Sequence, residues 1–169
     1  MSAKPSLFVV RKATIADAQT IMSFQTNMAK ETENIDLDQN ALERGVRIPL
    51  EREGIAQYFV AERQDTEVVP VDATHPLAVA MLMLTNEWSD WRGGTMYWIQ
   101  SVFTHPNYRR KGAYTQMYLH LQQMVLNDDF AAGLRLYVEE ENDVARRMYE
   151  GLGMKREHYN MMKWTKTKY

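Results

Sequence analysis

The chain has 169 residues, enough for one domain with a sizeable core, with 45% apolar and 25% charged residues and a formal net charge of −2. It contains no cysteine, which excludes disulfides, thiolate zinc sites and a cysteine nucleophile. The charge balance argues against a general nucleic-acid binder. No apolar run approaches the roughly 18 residues of a membrane span, and MSAKPSLFVV lacks the apolar core of an export signal, so a cytoplasmic protein is expected.

Leu7 to Arg11 reads as a first strand, and Thr14-Ile15-Ala16-Asp17 as a capping-box start of a helix to about Lys30. Glu31 to Asp38 is a polar, acidic loop. Asn40 to Arg52 carries a second, shorter helical pattern. Gln57–Glu62 and Leu77–Leu84 read as paired strands, joined by an exposed loop, Gln64 to Pro76. Glu87 to Gly94 reads as a turn with a glycine pair, Met96 to Thr104 as a strand, and Leu134 to Val138 as another. Arg156 to Trp164 is expected to supply one or two closing strands. Four of the twelve methionines, Met22, Met117, Met124 and Met148, fall on apolar helical faces and read as core. His75, His105, His120 and His158 show no metal-ligand spacing, and no metal is expected.

Trp98 to Tyr118 carries the most chemistry. An apolar, aromatic strand breaks at His105-Pro106-Asn107, passes Arg109, Arg110 and Lys111, and reaches Gly112. Tyr114, Met117, Tyr118, Leu121 and Val125 then recur at helical intervals. Backbone N–H groups in the first turn of a helix lack internal partners and carry partial positive charge. Beside three cations and a glycine that lets a ligand approach, they form a pyrophosphate cradle. Further on, Asn142 is a good N-cap, and Val144, Ala145, Met148, Tyr149 and Leu152 form one helical face closed by Gly151 and Gly153.

Phe103 to Gly112, FTHPNYRRKG, resembles the acyl-CoA loop of the GNAT superfamily of N-acetyltransferases, with Arg109 and Gly112 at its first two fixed positions and Tyr114 where a small residue is usual. NDVARRMYEGLGM resembles the second motif of that superfamily, in the same order and at the same separation. EWSDWR followed by WIQSV is also similar to a pattern within it. The resemblance covers about Leu7 to Trp164 and implies one GNAT domain over residues 1–169. Its fold is a mixed α/β one, a twisted, mostly antiparallel sheet with one splayed parallel strand pair and about four flanking helices. It implies transfer of an acetyl group from acetyl-CoA, as cosubstrate, to a primary amine by direct attack.

By that resemblance, the backbone of Val102, Phe103 and Thr104 holds pantetheine, with the Val102 N–H as oxyanion donor. Backbone N–H groups from Arg109 through Arg110, Lys111, Gly112 and Ala113 to Tyr114 hold the pyrophosphate. Tyr149 is the general acid or an ordinary core tyrosine, and Asn142 contacts the CoA arm or serves only as a helix cap. Many members carry a carboxylate at positions matching Gln100 and Ser101; neither residue accepts a proton at neutral pH. Glu31, Glu33, Glu87 and Asp90 are therefore candidate bases, reached directly or replaced by a water chain. With Trp88, Trp91, Trp98 and Gln100, these residues are candidates for the acceptor pocket. Residues 1–104 hold 9 Lys and Arg against 14 Asp and Glu, and residues 105–169 hold 11 against 8, so the acidic half would face a cationic acceptor. The expected partners are acetyl-CoA and an amine acceptor, without nucleic acid or membrane, and a homodimer is allowed. The alternative is a non-catalytic acyl-CoA-binding or sensor module of the same fold.

Overall fold

The computed structural model describes residues 7–64 and 77–166. Five strands, β1 (Phe8–Lys12), β2 (Gln57–Arg63), β3 (Ala78–Ser89), β4 (Gly94–Thr104) and β5 (Ala131–Leu136), form one sheet in that spatial order. β4 and β5 are parallel, and every other pair is antiparallel. The helices are α1 (Ala18–Glu33), α2 (Gln39–Glu51), α3 (Ala113–Leu126) and α4 (Asp143–Gly151). No helix among the described residues is long and apolar enough to cross a membrane. Contacts divide the chain into two compact units, Met1–Tyr137 and Val138–Tyr169.

In the first unit, strand alternation sends successive side chains to opposite faces. Tyr58, Val60, Met81 and Phe103 join Ile21 and Phe24 of α1 and Val46 of α2 in one apolar core. Phe59, of the other parity, points to the opposite face and meets His120 of α3, ring centroids 5.6 Å apart. The helices therefore clamp the sheet from both sides. The turn into α1 is held by a capping box between Thr14 and Asp17. Asp17 is fully buried and accepts two 2.8 Å hydrogen bonds from Arg11, which also reaches Glu62 at 2.6 Å. A buried carboxylate needs such pairing to remain charged.

β4 starts where only glycine fits: a Cβ on Gly94 would lie 2.6 Å from the Phe130 carbonyl oxygen. That oxygen accepts the Thr95 N–H at 2.6 Å and so seats β4 beside the start of β5.

Several expected boundaries shift. α1 continues through Glu33, so Glu31 and Glu33 lie on its last turn rather than in a loop; Asn34 ends it in the left-handed conformation, φ 53°. β3 continues through Ser89, so Glu87 and Trp88 are strand residues, paired with Met96 and Thr95. The expected loop of residues 64–76 lies outside the described residues beyond Gln64. In the second unit, Arg156 to Trp164 forms no strand. Its apolar alternation slips at the adjacent Met161 and Met162, so no single register buries Tyr159, Met161 and Trp164 on one face.

Candidate active site

β4 is shared between two neighbours for only part of its length. Its parallel ladder with β5 ends at Ile99↔Leu136, while its antiparallel ladder with β3 continues to Thr104↔Ala80. A bulge interrupts the β3 ladder, where Leu84 pairs with Ile99 and Met83 with Ser101, leaving Gln100 as the extra residue. The β5 side of residues 100–104 is therefore a gap in the sheet. The His105 N–H crosses to the Val79 carbonyl at 2.8 Å. Backbone groups alternate in direction along a strand. Counting back from His105, Phe103 and Ser101 direct theirs to β3, and Thr104 and Val102 direct theirs into the gap. Of the three expected backbone contacts, Val102 and Thr104 therefore face the gap and Phe103 does not. Its ring lies in the core, 5.0 Å from that of Phe24.

The strand runs into a single 3-10 turn, Pro106–Tyr108, and then the cationic loop. Arg110 and Gly112 both take left-handed conformations, φ 61° and 90°. Left-handed residues within such a turn aim successive N–H groups at a common point, an arrangement that holds anions. Gly112 is the N-cap of α3 and supplies no side-chain cap, and a Cβ built on it meets nothing within 4 Å. Ala113 and Tyr114 are buried, so the tyrosine at the usual small-residue position turns into the protein, its ring 6.2 Å from that of Tyr118.

The three loop cations are not equivalent. Arg109 is engaged with the protein, its Nε donating to the Thr104 carbonyl at 2.9 Å and its Nη2 lying 2.5 Å from Glu31 Oε2. Lys111 lies over the Tyr108 ring, 5.2 Å from its centre. Tyr108 is buried and accepts a 2.8 Å hydrogen bond from buried Arg63. This pair underpins the loop; Tyr108 lies within the FTHPNYRRKG string, but Arg63 does not stand out in the sequence, because only the sheet brings the end of β2 beneath the turn.

His105 stands at the same junction. Burial, followed by the charge of Arg109, holds its imidazole below the usual histidine range, against an opposing pull from Glu31. Its Nδ1 accepts the Asn107 N–H at 3.3 Å, which only a neutral ring nitrogen can do. The folded-state pKa is depressed, so the unfolded chain binds the proton more readily, and stability is lost as pH falls below about 6.5. The melting temperature is expected to drop between about pH 7 and 5.5, and His105→Asn to flatten part of that drop. An unchanged slope in the variant would remove His105 as the cause.

The expected acceptor-side residues scatter. Gln100 is exposed and donates from Nε2 to Thr85 Oγ1 at 3.0 Å. Gln25 of α1 donates to Ser101 Oγ at 3.2 Å. The same glutamine hydrogen-bonds Tyr58, whose phenol is raised by burial despite that bond. Glu87 accepts from the Trp98 indole N–H and from Arg135. Trp88, adjacent to Glu87, points to the opposite face of the sheet and is 63% exposed. Trp91 and Asp90 lie in the β3–β4 turn, where Asp90 accepts the Trp91 N–H. Glu31 is taken up by Arg109. Arg135 and Tyr137, absent from the sequence-based candidates, join this region through the β4–β5 register.

In the second unit, Asn142 caps α4, its side-chain oxygen accepting the Ala145 N–H at 3.0 Å. Tyr149 lies on the last turn of α4, and its carbonyl accepts the Met154 N–H at 3.0 Å. Among the described residues, no group of three acidic or histidine side chains is placed to hold a metal.

A mixed sheet whose one parallel pair ends early, followed by a cationic glycine loop at a helix start, defines an acetyltransferase class. The chain belongs to the Acetyltransferase (GNAT) family, whose model matches residues 22–154. It is similar, at 37% identity and TM-score 0.81, to the solved structure of a possible acetyltransferase from Clostridium difficile 630, covering 96% of this chain and all of that one. An integron cassette protein from the Cole Harbour Salt Marsh metagenome shares the fold at 18% identity and TM-score 0.75, over 94% and 91% of the two chains. So does the aminoglycoside N-acetyltransferase AAC(6')-Iy, solved in complex with CoA, at 11% identity and TM-score 0.71, over 99% and 100%. A search of curated proteins finds no match.

Proposed function

We propose that the protein transfers an acetyl group from acetyl-CoA to a primary amine of a small molecule or peptide by direct attack. The observation that carries this reading is the gap beside β4: it begins after Ile99↔Leu136, receives the backbone of Val102 and Thr104, and leads straight to the loop that ends at Gly112. The CoA complex of AAC(6')-Iy supports the choice of donor.

In this mechanism pantetheine adds to the open side of β4 through backbone hydrogen bonds. Pyrophosphate sits on the N–H groups of residues 110–114, since the Arg109 N–H of the expected set donates instead to the Pro106 carbonyl at 3.3 Å, with Arg110 and Lys111 supplying charge. The neutral amine forms a bond to the thioester carbon, and the Val102 N–H stabilises the oxyanion that results. The C–S bond then breaks. The departing thiolate takes the proton of the Tyr149 phenol, an O–H donor of the kind that serves as a general acid. Solvent reprotonates the phenolate. The ammonium proton leaves through water, as Gln100 and Ser101 carry no carboxylate and Glu31 and Glu87 are paired with arginines; Glu33 and Asp90 are the candidate carboxylates left to receive it from that water. Asn142 caps α4 and contacts the CoA arm.

Gln100 therefore positions the amine and does not deprotonate it. Gln100→Ala is expected to raise the acceptor KM several-fold while leaving the pH dependence of kcat in place. Loss of a kinetic ionisation in that variant would overturn the water route.

Gln100 in place of a carboxylate also favours the second reading, a non-catalytic acyl-CoA-binding module. Release of free CoA thiol from acetyl-CoA across a panel of amines separates the two. The transferase reading expects amine-dependent release, and tight acetyl-CoA binding with no release for any amine sinks it.

A further inference from the structure

On the α1–α2 face of the sheet, Tyr58, Met83 and Ser101 form one cross-strand row at the margin of the core. Beyond the Gln100 bulge, the next row on that face is Thr85 and Trp98, with Arg135 in register with Trp98 on β5. Tyr137 follows on the same face, just past the last β4–β5 pair and at the mouth of the gap.

The side chains of this row lock together. The Trp98 indole N–H donates to Glu87 Oε2, and Arg135 Nη1 lies 3.2 Å from Glu87 Oε1. The Arg135 guanidinium lies 5.1 Å from the centre of the Trp98 ring. The Tyr137 ring lies 4.6 Å from that of Trp98 at 35°. Tyr137 remains 58% exposed. A single exposed ion pair holds little on its own, but here the pair fixes an indole whose neighbour is an open phenol ring. Glu87 and Arg135 cancel in charge, so the surface is aromatic and formally neutral. One end is bounded by Gln100, whose amide nitrogen is occupied by Thr85; its amide oxygen is left as an acceptor beside the gap.

We propose that this shelf is the acceptor subsite and that it takes a primary amine carrying a planar ring two or three carbons from the nitrogen. The inference rests on the transferase reading. The amine N–H donates to Gln100 Oε1, and the ring stacks on Tyr137 against Trp98. Gln100 and Trp98 are two residues apart along β4, their Cα atoms within roughly 7 Å, so a short carbon chain reaches from the amide to the aromatic shelf. The neutral shelf asks for no second charge on the acceptor.

The test is direct binding of amines to the full chain saturated with CoA, read by calorimetry or tryptophan fluorescence. Phenethylamine and 3-phenylpropylamine are expected to bind more tightly than benzylamine, 6-phenylhexylamine or hexylamine. Tyr137→Ala should weaken the ring-bearing amines by about 2- to 10-fold, the worth of one aromatic pair, and leave hexylamine unchanged. Tyr137→Phe, which preserves the ring and so guards against a folding artefact, should retain the preference. Equal binding of hexylamine and phenethylamine, or a preference untouched by Tyr137→Ala, overturns the shelf. Binding is read without turnover. A failed shelf therefore leaves amine-dependent thiol release intact, whereas absent thiol release with the ring preference present sinks the transferase reading, and with it the acceptor role, and leaves the shelf a ring-amine binding site.

Discussion

Tyr149→Phe is expected to lower turnover by about 10²–10⁴-fold, the usual worth of general acid catalysis, while acetyl-CoA affinity and melting temperature stay near wild type. The substitution removes one hydroxyl and keeps the ring, so helix α4 and its Asn142 cap persist. A thiolate departs more readily than most leaving groups, which places the effect toward the lower end of that range. The measurement is single-turnover thiol release, where chemistry limits the rate. Unchanged turnover would reduce Tyr149 to a packing residue of α4.

Gly112→Val is expected to weaken acetyl-CoA binding by about 5- to 150-fold. A β-branched residue strongly resists the φ of 90° at this position, and holding it there costs about 1–3 kcal/mol. The space around a Cβ at Gly112 is open within the protein, so the damage falls on the loop backbone and on the room left for pyrophosphate rather than on the core. Gly112→Asn separates these two effects, since asparagine tolerates the left-handed region and adds only a side chain. Calorimetry of all three proteins, with melting curves as the folding control, decides the matter. Wild-type affinity in a folded valine variant sinks the assignment of this loop to phosphate.

The cationic loop proposed for the donor is legible in the sequence because its signals are local. A glycine, three cations and a helix start fall within a few residues, and the same stretch builds the left-handed turn at Arg110 and Gly112. The region proposed for the acceptor is not legible in that way. Glu87 and Trp88 read as turn residues because they belong to the segment that ends in the Gly93–Gly94 pair, yet they pair across the hairpin to Met96 and Thr95. Arg135 and Tyr137 gain meaning only when β5 is laid parallel to β4 in a register that no local pattern specifies. Arg63 beneath Tyr108 is a buried cation at a strand end, visible only once the sheet is assembled. The closing strands fail for the converse reason: Arg156 to Trp164 has the composition of a strand but not an unbroken alternation.

The extra residue at Gln100 divides β4 into two half-strands whose side-chain phases are set independently. Ahead of it, Met96 and Trp98 keep time with Glu87 and Thr85; after it, Ser101 and Phe103 keep time with Met83 and Met81. Removing that one residue would join the halves and force one of them to invert. Phe103 would then turn out of the core, or Trp98 would leave its face, a heavier lesion than any single exchange of side chain along the strand. The bulge thus works as a joint. Side chains on one half of β4 can therefore be exchanged without changing the phase of the other half, so a change beside Trp98 leaves Ser101 and Phe103 on the faces they already occupy.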